Sequence, residues 1–414
     1  MPQPCLPATH LNEAPLRRST RALRRLGAAL ALSAGLPAVA LAAANAWPQA
    51  GHDAAHTYRN PQETQLMPKR FGALNLLWSQ KLGQFYVGAN ALRQGVIVNC
   101  SNLYGVNAVR SGSGEVLWQR GGLPGGNCGS AATASTSLWL TTSDLDTRVS
   151  HVVALNPADG QTQWSRDLPD PQTLGLKDPT LADGRLYVAD GRSAVHALSA
   201  SDGSSLWRAD TGCYQNAATA GQGQVFISTW YACASGSKRL IALDAADGSQ
   251  RWSQPLSNDS WFAPMLLGKR VLVSSVDGWV RAFASDNGNP QWAVQLDGYA
   301  SGPLVGEPGV VYAYSPTTVM ALDAATGATL WRTTLPRFGT LASNLVLAAG
   351  GLYHTVIERD GSHRLGVINA STGKVGGRSE ASMFGDYAQV AVANGRVQVS
   401  SNYGYLYEFG LVAP

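Results

Sequence analysis

The chain has 414 residues, a length that suits two or three ordinary domains or one large closed all-β architecture. Charged residues make up only 14% while glycines number 45, a profile of many short strands joined by tight turns that excludes a long helical rod or a disordered tail. The formal charge of +4 comes entirely from the N-terminal segment, where Arg17, Arg18, Arg21, Arg24 and Arg25 face only Glu13; the rest balances at 26 against 26, which removes the electrostatic case for nucleic acid.

In chain order, those arginines precede an apolar run over residues 26–43 that contains Gly35 and Pro37 and ends in small residues. Charged, apolar and small-residue regions in that order predict a secretory signal peptide over 1–46, with Ala44-Asn45-Ala46 as the preferred cleavage motif and Ala40-Leu41-Ala42 as the other. The run is interrupted and short of the roughly 20 apolar residues of a membrane span, and the mature chain offers no other transmembrane candidate. No cysteine follows it as a lipid acceptor. The expected location is periplasmic or secreted, and the mature chain is expected to be a monomer.

His52 and His56 come next, four apart with Asp53 between them; Gly51 and Pro61 predict an irregular arm making polar contacts in a closure segment rather than a helical metal pair. Residues 74–82, containing Trp78, look like an outer strand with no hairpin before it.

From there one unit repeats: an apolar-Ala-apolar strand, a four-residue turn, Gly, three residues, Trp. Its copies pair Ala108 with Trp118, Ala154 with Trp164, Ala197 with Trp207, Ala242 with Trp252, Ala282 with Trp292 and Ala321 with Trp331. In each, a glycine (114, 160, 203, 248, 288, 327) stands four residues before the indole. A seventh copy keeps its phase but has Val367 for the alanine and Gly377 for the tryptophan. Turns such as Asp244-Ala245-Ala246-Asp247-Gly248 mark each unit as a β-hairpin, and two further strand-like runs precede each one. Successive indoles lie 39 to 46 residues apart, the period of a four-stranded propeller blade. Indoles at fixed phase read as packing between blades.

The segment at 403–409 looks like a third strand with nothing after it, so each end of the chain supplies what the other lacks. The expectation is an all-β, eight-bladed propeller of four-stranded antiparallel blades over 47–414, its last blade closed by the N-terminal strand.

The unit at 242–252 resembles the repeats of pyrroloquinoline-quinone (PQQ) propellers. The head Trp47-Pro48-Gln49-Ala50-Gly51-His52-Asp53, with Asn60-Pro61 and Leu76-Leu77-Trp78, resembles the opening of quinoprotein alcohol dehydrogenases. In blade count, repeat type and mature length the chain is also similar to the BamB family, propellers that serve outer-membrane β-barrel assembly as scaffolds. The dehydrogenase resemblance implies a quinone beneath a disulfide of adjacent cysteines, beside calcium. No two cysteines here are adjacent, and Asp144 with Asp146 reads as a polar insertion between strands. Hydrolase elbows, zinc helices and phosphate loops are also missing from the sequence.

By repeat phase the funnel mouth carries Tyr86, Asn127, Asp178, Tyr214, Asn216, Trp261, Tyr299, Asp386 and Tyr387, aromatic and amide groups suited to a ligand or an extended peptide, or to plugging the channel. His196 reads as a packed strand residue. Four cysteines follow the signal segment in a chain expected to enter an oxidising compartment. Cys213 should pair with Cys233 across one hairpin, and Cys100 with Cys128 across a blade boundary. The favoured reading is an exported noncatalytic scaffold that binds an envelope protein or extended peptide and needs no catalytic residue, metal or cofactor. The alternatives are a PQQ- and calcium-dependent dehydrogenase with a reduced site, and a glycan-binding or adhesive propeller.

Overall fold

The computed structural model describes residues 45–411, apart from 84, 89, 103–104, 125–126, 145–146, 148, 169–175, 231–232, 234–235, 336–339 and 386–388. Eight antiparallel sheets follow one another along the chain. Blade 1 runs from a broken inner strand, Phe85–Val87 and Ala91–Arg93, through Val96–Asn102 and Gly105–Arg110 to the outer strand Val116–Arg120. Blade 4 shows the regular pattern: Thr219–Gly221, Gln224–Ser228, Lys238–Asp244 and Gln250–Leu256. Blade 8 joins Gln389–Ala393, Arg396–Ser400 and Tyr405–Leu411 to Leu74–Lys81, so the N-terminal strand is its outermost member, with Leu74 opposite Leu411 and Lys81 opposite Tyr405. Its inner strand meets Ala91–Arg93 of blade 1, closing the circle.

Strand composition follows position in the blade. Second strands such as Arg270–Ser274 are buried on both faces and read as unbroken apolar runs, whereas outer strands such as Thr329–Thr334 alternate exposed and half-buried residues. The core is therefore a ring of seams between blades: one cluster unites Leu272 and Val280 of blade 5 with Val311 and Ala313 of blade 6, another Trp139 and Val152 of blade 2 with Leu186 and Val188 of blade 3. The seam at the closure is the longest, taking in Trp47, Leu66, Phe71, Leu92, Val392 and Phe409.

Each repeat indole lies on the hairpin glycine of the next blade. Built onto Gly248, a Cβ would come within 2.6 Å of the Trp207 ring; onto Gly203, within 2.6 Å of Trp164; onto Gly114, within 2.8 Å of Trp78. The Trp207 indole N–H also donates to Ala245 O at 3.0 Å, and Trp252 to Ser285 O at 3.0 Å. This contact explains the Gly-x3-Trp motif, because the two residues are matched across the seam rather than within the blade. It explains the degraded seventh copy as well. Blade 8 has no hairpin glycine to receive an indole from blade 7, since its outer strand arrives from the N-terminus. Over Gly377 lies Phe71 instead, 3% exposed, carried by the short 3-10 turn Pro68–Ala73 that leads into the closing strand.

Residues 47–60 form an arm that visits the inner strands in order. Trp47 exchanges backbone hydrogen bonds with Leu92 of blade 1 (2.8 and 2.7 Å), and Pro48 O accepts from Thr133 N of blade 2. The Gln49 side chain accepts from Leu181 N of blade 3 at 2.8 Å. Ala54, Ala55, Thr57 and Tyr58 carbonyls accept from Ala220, Leu266, Gly306 and Leu347 of blades 4 to 7, at 2.8 to 2.9 Å. Asn60 ends the circuit by donating its side-chain N–H to Val392 O of blade 8 at 2.8 Å. Inner strands expose one row of backbone groups to the channel, and unpaired buried amides cost roughly 1–3 kcal/mol each, so the arm satisfies what the sheets leave open.

Candidate functional site

The arm crosses the inner strands near the turns that follow them, and so forms the floor of a funnel that opens where the connecting loops enter each blade. Its backbone is irregular, as the sequence predicts: His52, His56 and Tyr58 hold φ of 73°, 53° and 51°. Such values are uncommon outside glycine and persist only where the surroundings enforce them. The two histidines go separate ways. His52 packs edge-on against Trp47 at 5.0 Å between ring centroids, whereas His56 is buried with Nδ1 2.8 Å from Thr219 Oγ1. The Thr219 hydroxyl donates to Pro264 O, so it must accept from the His56 ring. Burial pushes the His56 pKa down, against the opposing charges of Asp53 and Asp178, so the imidazole stands neutral. Burial alone would raise the Asp53 pKa, but hydrogen bonds from the Thr57 amide and hydroxyl, with His52 Nδ1 3.7 Å away, outweigh it and hold the carboxyl below its ordinary range.

The sequence-predicted rim residues divide by what they touch. Asp178 accepts from Ser130 N at 2.7 Å and ties the entry loops of blades 2 and 3. Asn216 is buried, donating to Ser228 Oγ, Ser260 O and Phe262 O, which ties blade 4 to the loop entering blade 5. Tyr214 lies edge-on to Trp230 at 5.8 Å, and Lys177 Nζ sits 5.4 Å above the Trp230 ring. Burial lowers the Lys177 pKa, with Asp178 opposing. Trp261 and Tyr299 stand free, 55% and 52% exposed. Tyr86 and Asn127 have backbones in the strands Phe85–Val87 and Asn127–Cys128, while their side chains, with Asp386 and Tyr387, lie outside the described residues. So does Asp146; Asp144 accepts from Thr147 N at 3.1 Å. His196 is buried within its strand.

Trp261 and Tyr299 guard a cavity of about 630 Å³ between the entry loops of blades 5, 6 and 7, with Tyr58 of the arm and Gln389 of blade 8 in its wall. Every described residue lining it is uncharged. Sequence phase found the two guardians but missed Tyr58, Phe262, Lys177 and Trp230. Tyr58 belongs to a non-repeating arm, and Trp230 falls in the loop between the second and third strands of blade 4, residues 229–237, which is longer than its counterparts at 190–193 and 275–278.

Both disulfides stand at this face: Cys213 with Cys233 inside blade 4 and Cys100 with Cys128 across the seam of blades 1 and 2, with Cα atoms 3.9 and 6.0 Å apart. They match the pairing expected from blade phase. Among the described residues no helix is long and apolar enough to cross a membrane, and no three His, Cys, Asp or Glu converge as metal ligands.

A family model described as outer membrane protein assembly factor BamB matches residues 73–173, 148–230 and 214–411, nearly the whole ring. Among curated relatives, the quinohemoprotein alcohol dehydrogenase of Comamonas testosteroni is 26% identical over 170 residues, 35% of this chain and 23% of that protein. The BamB of Burkholderia pseudomallei is 25% identical over 162 residues, 37% of this chain and 41% of the relative. The matched segments thus span less than half of these relatives. Among solved structures, the Comamonas enzyme superposes with a TM-score of 0.68 at 15% identity, covering 89% of this chain and 81% of the enzyme. BamB from Moraxella catarrhalis gives 0.59 at 19% identity, covering 81% of this chain and 97% of the other. At those identities the superpositions speak for the fold.

Proposed function

The chain belongs to the BamB family of outer membrane assembly factors, and from that premise we propose that it is an exported, noncatalytic scaffold of the cell envelope that binds a protein partner or an extended peptide at the funnel face. The observation that carries this reading is how the rim spends its polar groups. Asp178 and Asn216, the charged and amide groups best placed for chemistry, are committed to bracing one entry loop against the next. Among the described rim residues, Trp261 and Tyr299 are the large side chains left exposed, and aromatic groups of this kind suit a recognition surface. Two disulfides at the same face support a working life in an oxidising compartment, after removal of a signal segment near Ala46.

The dehydrogenase reading is favoured by the Comamonas relative. A carboxylated quinone with a divalent cation asks for cationic side chains and a convergent set of oxygen donors. The described cavity wall carries no charge, and no three His, Cys, Asp or Glu converge among the described residues, which gives the dehydrogenase reading no support from this site. Crosslinking pull-down from envelope extracts separates the two. A specific envelope protein should be captured. Recovery of none, together with dye reduction after loading with PQQ and Ca²⁺, would replace the scaffold by the enzyme.

A further inference from the structure

We propose that the cavity between the entry loops of blades 5, 6 and 7 is a binding site for a neutral oligosaccharide. Its volume of about 630 Å³ falls within the roughly 300–1,000 Å³ of small-molecule sites. Trp261 on the blade 5 loop and Tyr299 on the blade 6 loop expose more than half of their surface at its mouth. Two large aromatic side chains thus stand exposed at one cavity mouth, and the C–H face of a pyranose ring is a natural cover for an indole or a phenol.

The described polar groups of the lining are neutral and suited to hydroxyls. Tyr58 and Gln389 line the wall, and the Ser301 hydroxyl, also in the lining, is buried with no hydrogen-bond partner. A buried hydroxyl left without a partner costs free energy that a ligand hydroxyl reaching it through a small rearrangement would recover. The described wall residues are uncharged, and beside them uronates, phosphorylated sugars and peptide termini would lack a counter-ion.

The arm argues for a sugar over a peptide strand. An extended peptide gains affinity by adding to a free strand edge. In blades 5, 6 and 7, the three that flank the cavity, Leu266, Gly306 and Leu347 already donate to Ala55, Thr57 and Tyr58 of the arm. Ring faces and side-chain hydroxyls and amides are what this cavity has left to offer.

The test titrates the whole exported protein with maltotriose, cellotriose, triacetylchitotriose, a galacturonate trimer and a proline-rich peptide, followed by calorimetry and tryptophan emission. One neutral trisaccharide should saturate at micromolar to millimolar concentration and shift the emission. Trp261→Ala and Tyr299→Ala should each weaken it about tenfold while leaving the urea midpoint unchanged, as loss of one stacking face predicts. Saturation by none of the neutral sugars overturns the proposal, as does equal affinity for the galacturonate, binding of the peptide alone, or unchanged binding in the double variant. Pull-down with that double variant keeps the two readings apart: the envelope partner can be captured with the sugar site gone, and the sugar can bind where no partner is found.

Discussion

Gly248 and Gly223 hold similar backbone angles, φ 77° and 69°, but a Cβ on Gly248 would meet the Trp207 ring at 2.6 Å while one on Gly223 would meet nothing within 4 Å. The pair separates two costs. Gly223→Ala should lose only the roughly 1–2 kcal/mol of a side chain at positive φ. Gly248→Ala should lose that and a further ~1–3 kcal/mol as the indole is pushed out of its seam. Urea midpoints decide it: equal losses would mean the indole contact carries no energy. A second residue sets acid sensitivity. His354 is 2% exposed, neither ring nitrogen has a hydrogen-bond partner, and burial drives its pKa to about 4, with Arg378 adding and the Thr355 backbone opposing. The folded state therefore refuses a proton that the unfolded chain accepts near its ordinary value of 6.5. A depressed histidine pKa gives stability that is full above about pH 6.5 and is lost as the pH falls toward 4, on the order of 3 kcal/mol at most. His354→Leu should flatten stability across that window without loss at pH 7; an unchanged pH slope would show that other groups govern it.

At the scale of elements, what could be read from the sequence was what repeats. Six Ala-x9-Trp units fixed hairpin position, blade number and the phase of the rim, and the unmatched segments at 74–82 and 403–409 gave the closing pair, observed as Leu74–Lys81 against Tyr405–Leu411. Phase also brought the cysteines together correctly, because both pairs sit at strand ends whose direction is dictated by the hairpins. The arm was legible only as irregular chain. Apart from the Gln49 and Asn60 side chains and the Trp47 N–H, its bonds to the blades are backbone carbonyls accepting from backbone N–H groups, and such bonds leave no side-chain pattern to detect. Phe71 over Gly377 was hidden for a related reason: the residue that completes the seventh seam comes from the other end of the chain, so neither position carries a signal by itself. The cavity wall draws on the arm and four blades, and its aromatic guardians alone share a phase.

For the whole molecule, closure has two components that a redesigned connectivity can separate. One is the outer strand of blade 8, anchored where the buried Glu408 carboxylate accepts from the Trp78 indole at 2.8 Å, from Gln398 at 3.0 Å, and from Ser111 and Gly112 of blade 1. The other is the arm, which bonds to all eight inner strands. Deleting residues 47–82 removes both and should expose the edges of blade 8 and its seam with blade 1, causing aggregation. A circular permutant that begins at residue 83, runs to 411, and joins Leu411 to Leu74 through a short Gly-containing turn keeps the strand and discards the arm. Leu74 and Leu411 are register partners, so such a turn would rebuild the hairpin that the other blades already have. The permutant should fold with eight blades and should not aggregate. It should be less stable by several kcal/mol, because eight arm contacts at about 1 kcal/mol each are lost together with the Leu66 and Phe71 packing of the closing seam, while channel water replaces some of the hydrogen bonds. It should also bind ligands less selectively, since the floor of the funnel goes with the arm. Sedimentation and urea unfolding of the two forms distinguish the roles. A permutant that aggregates as the deletion does would make the arm the closing element, and a soluble, cooperatively folding deletion would show that the ring holds without either.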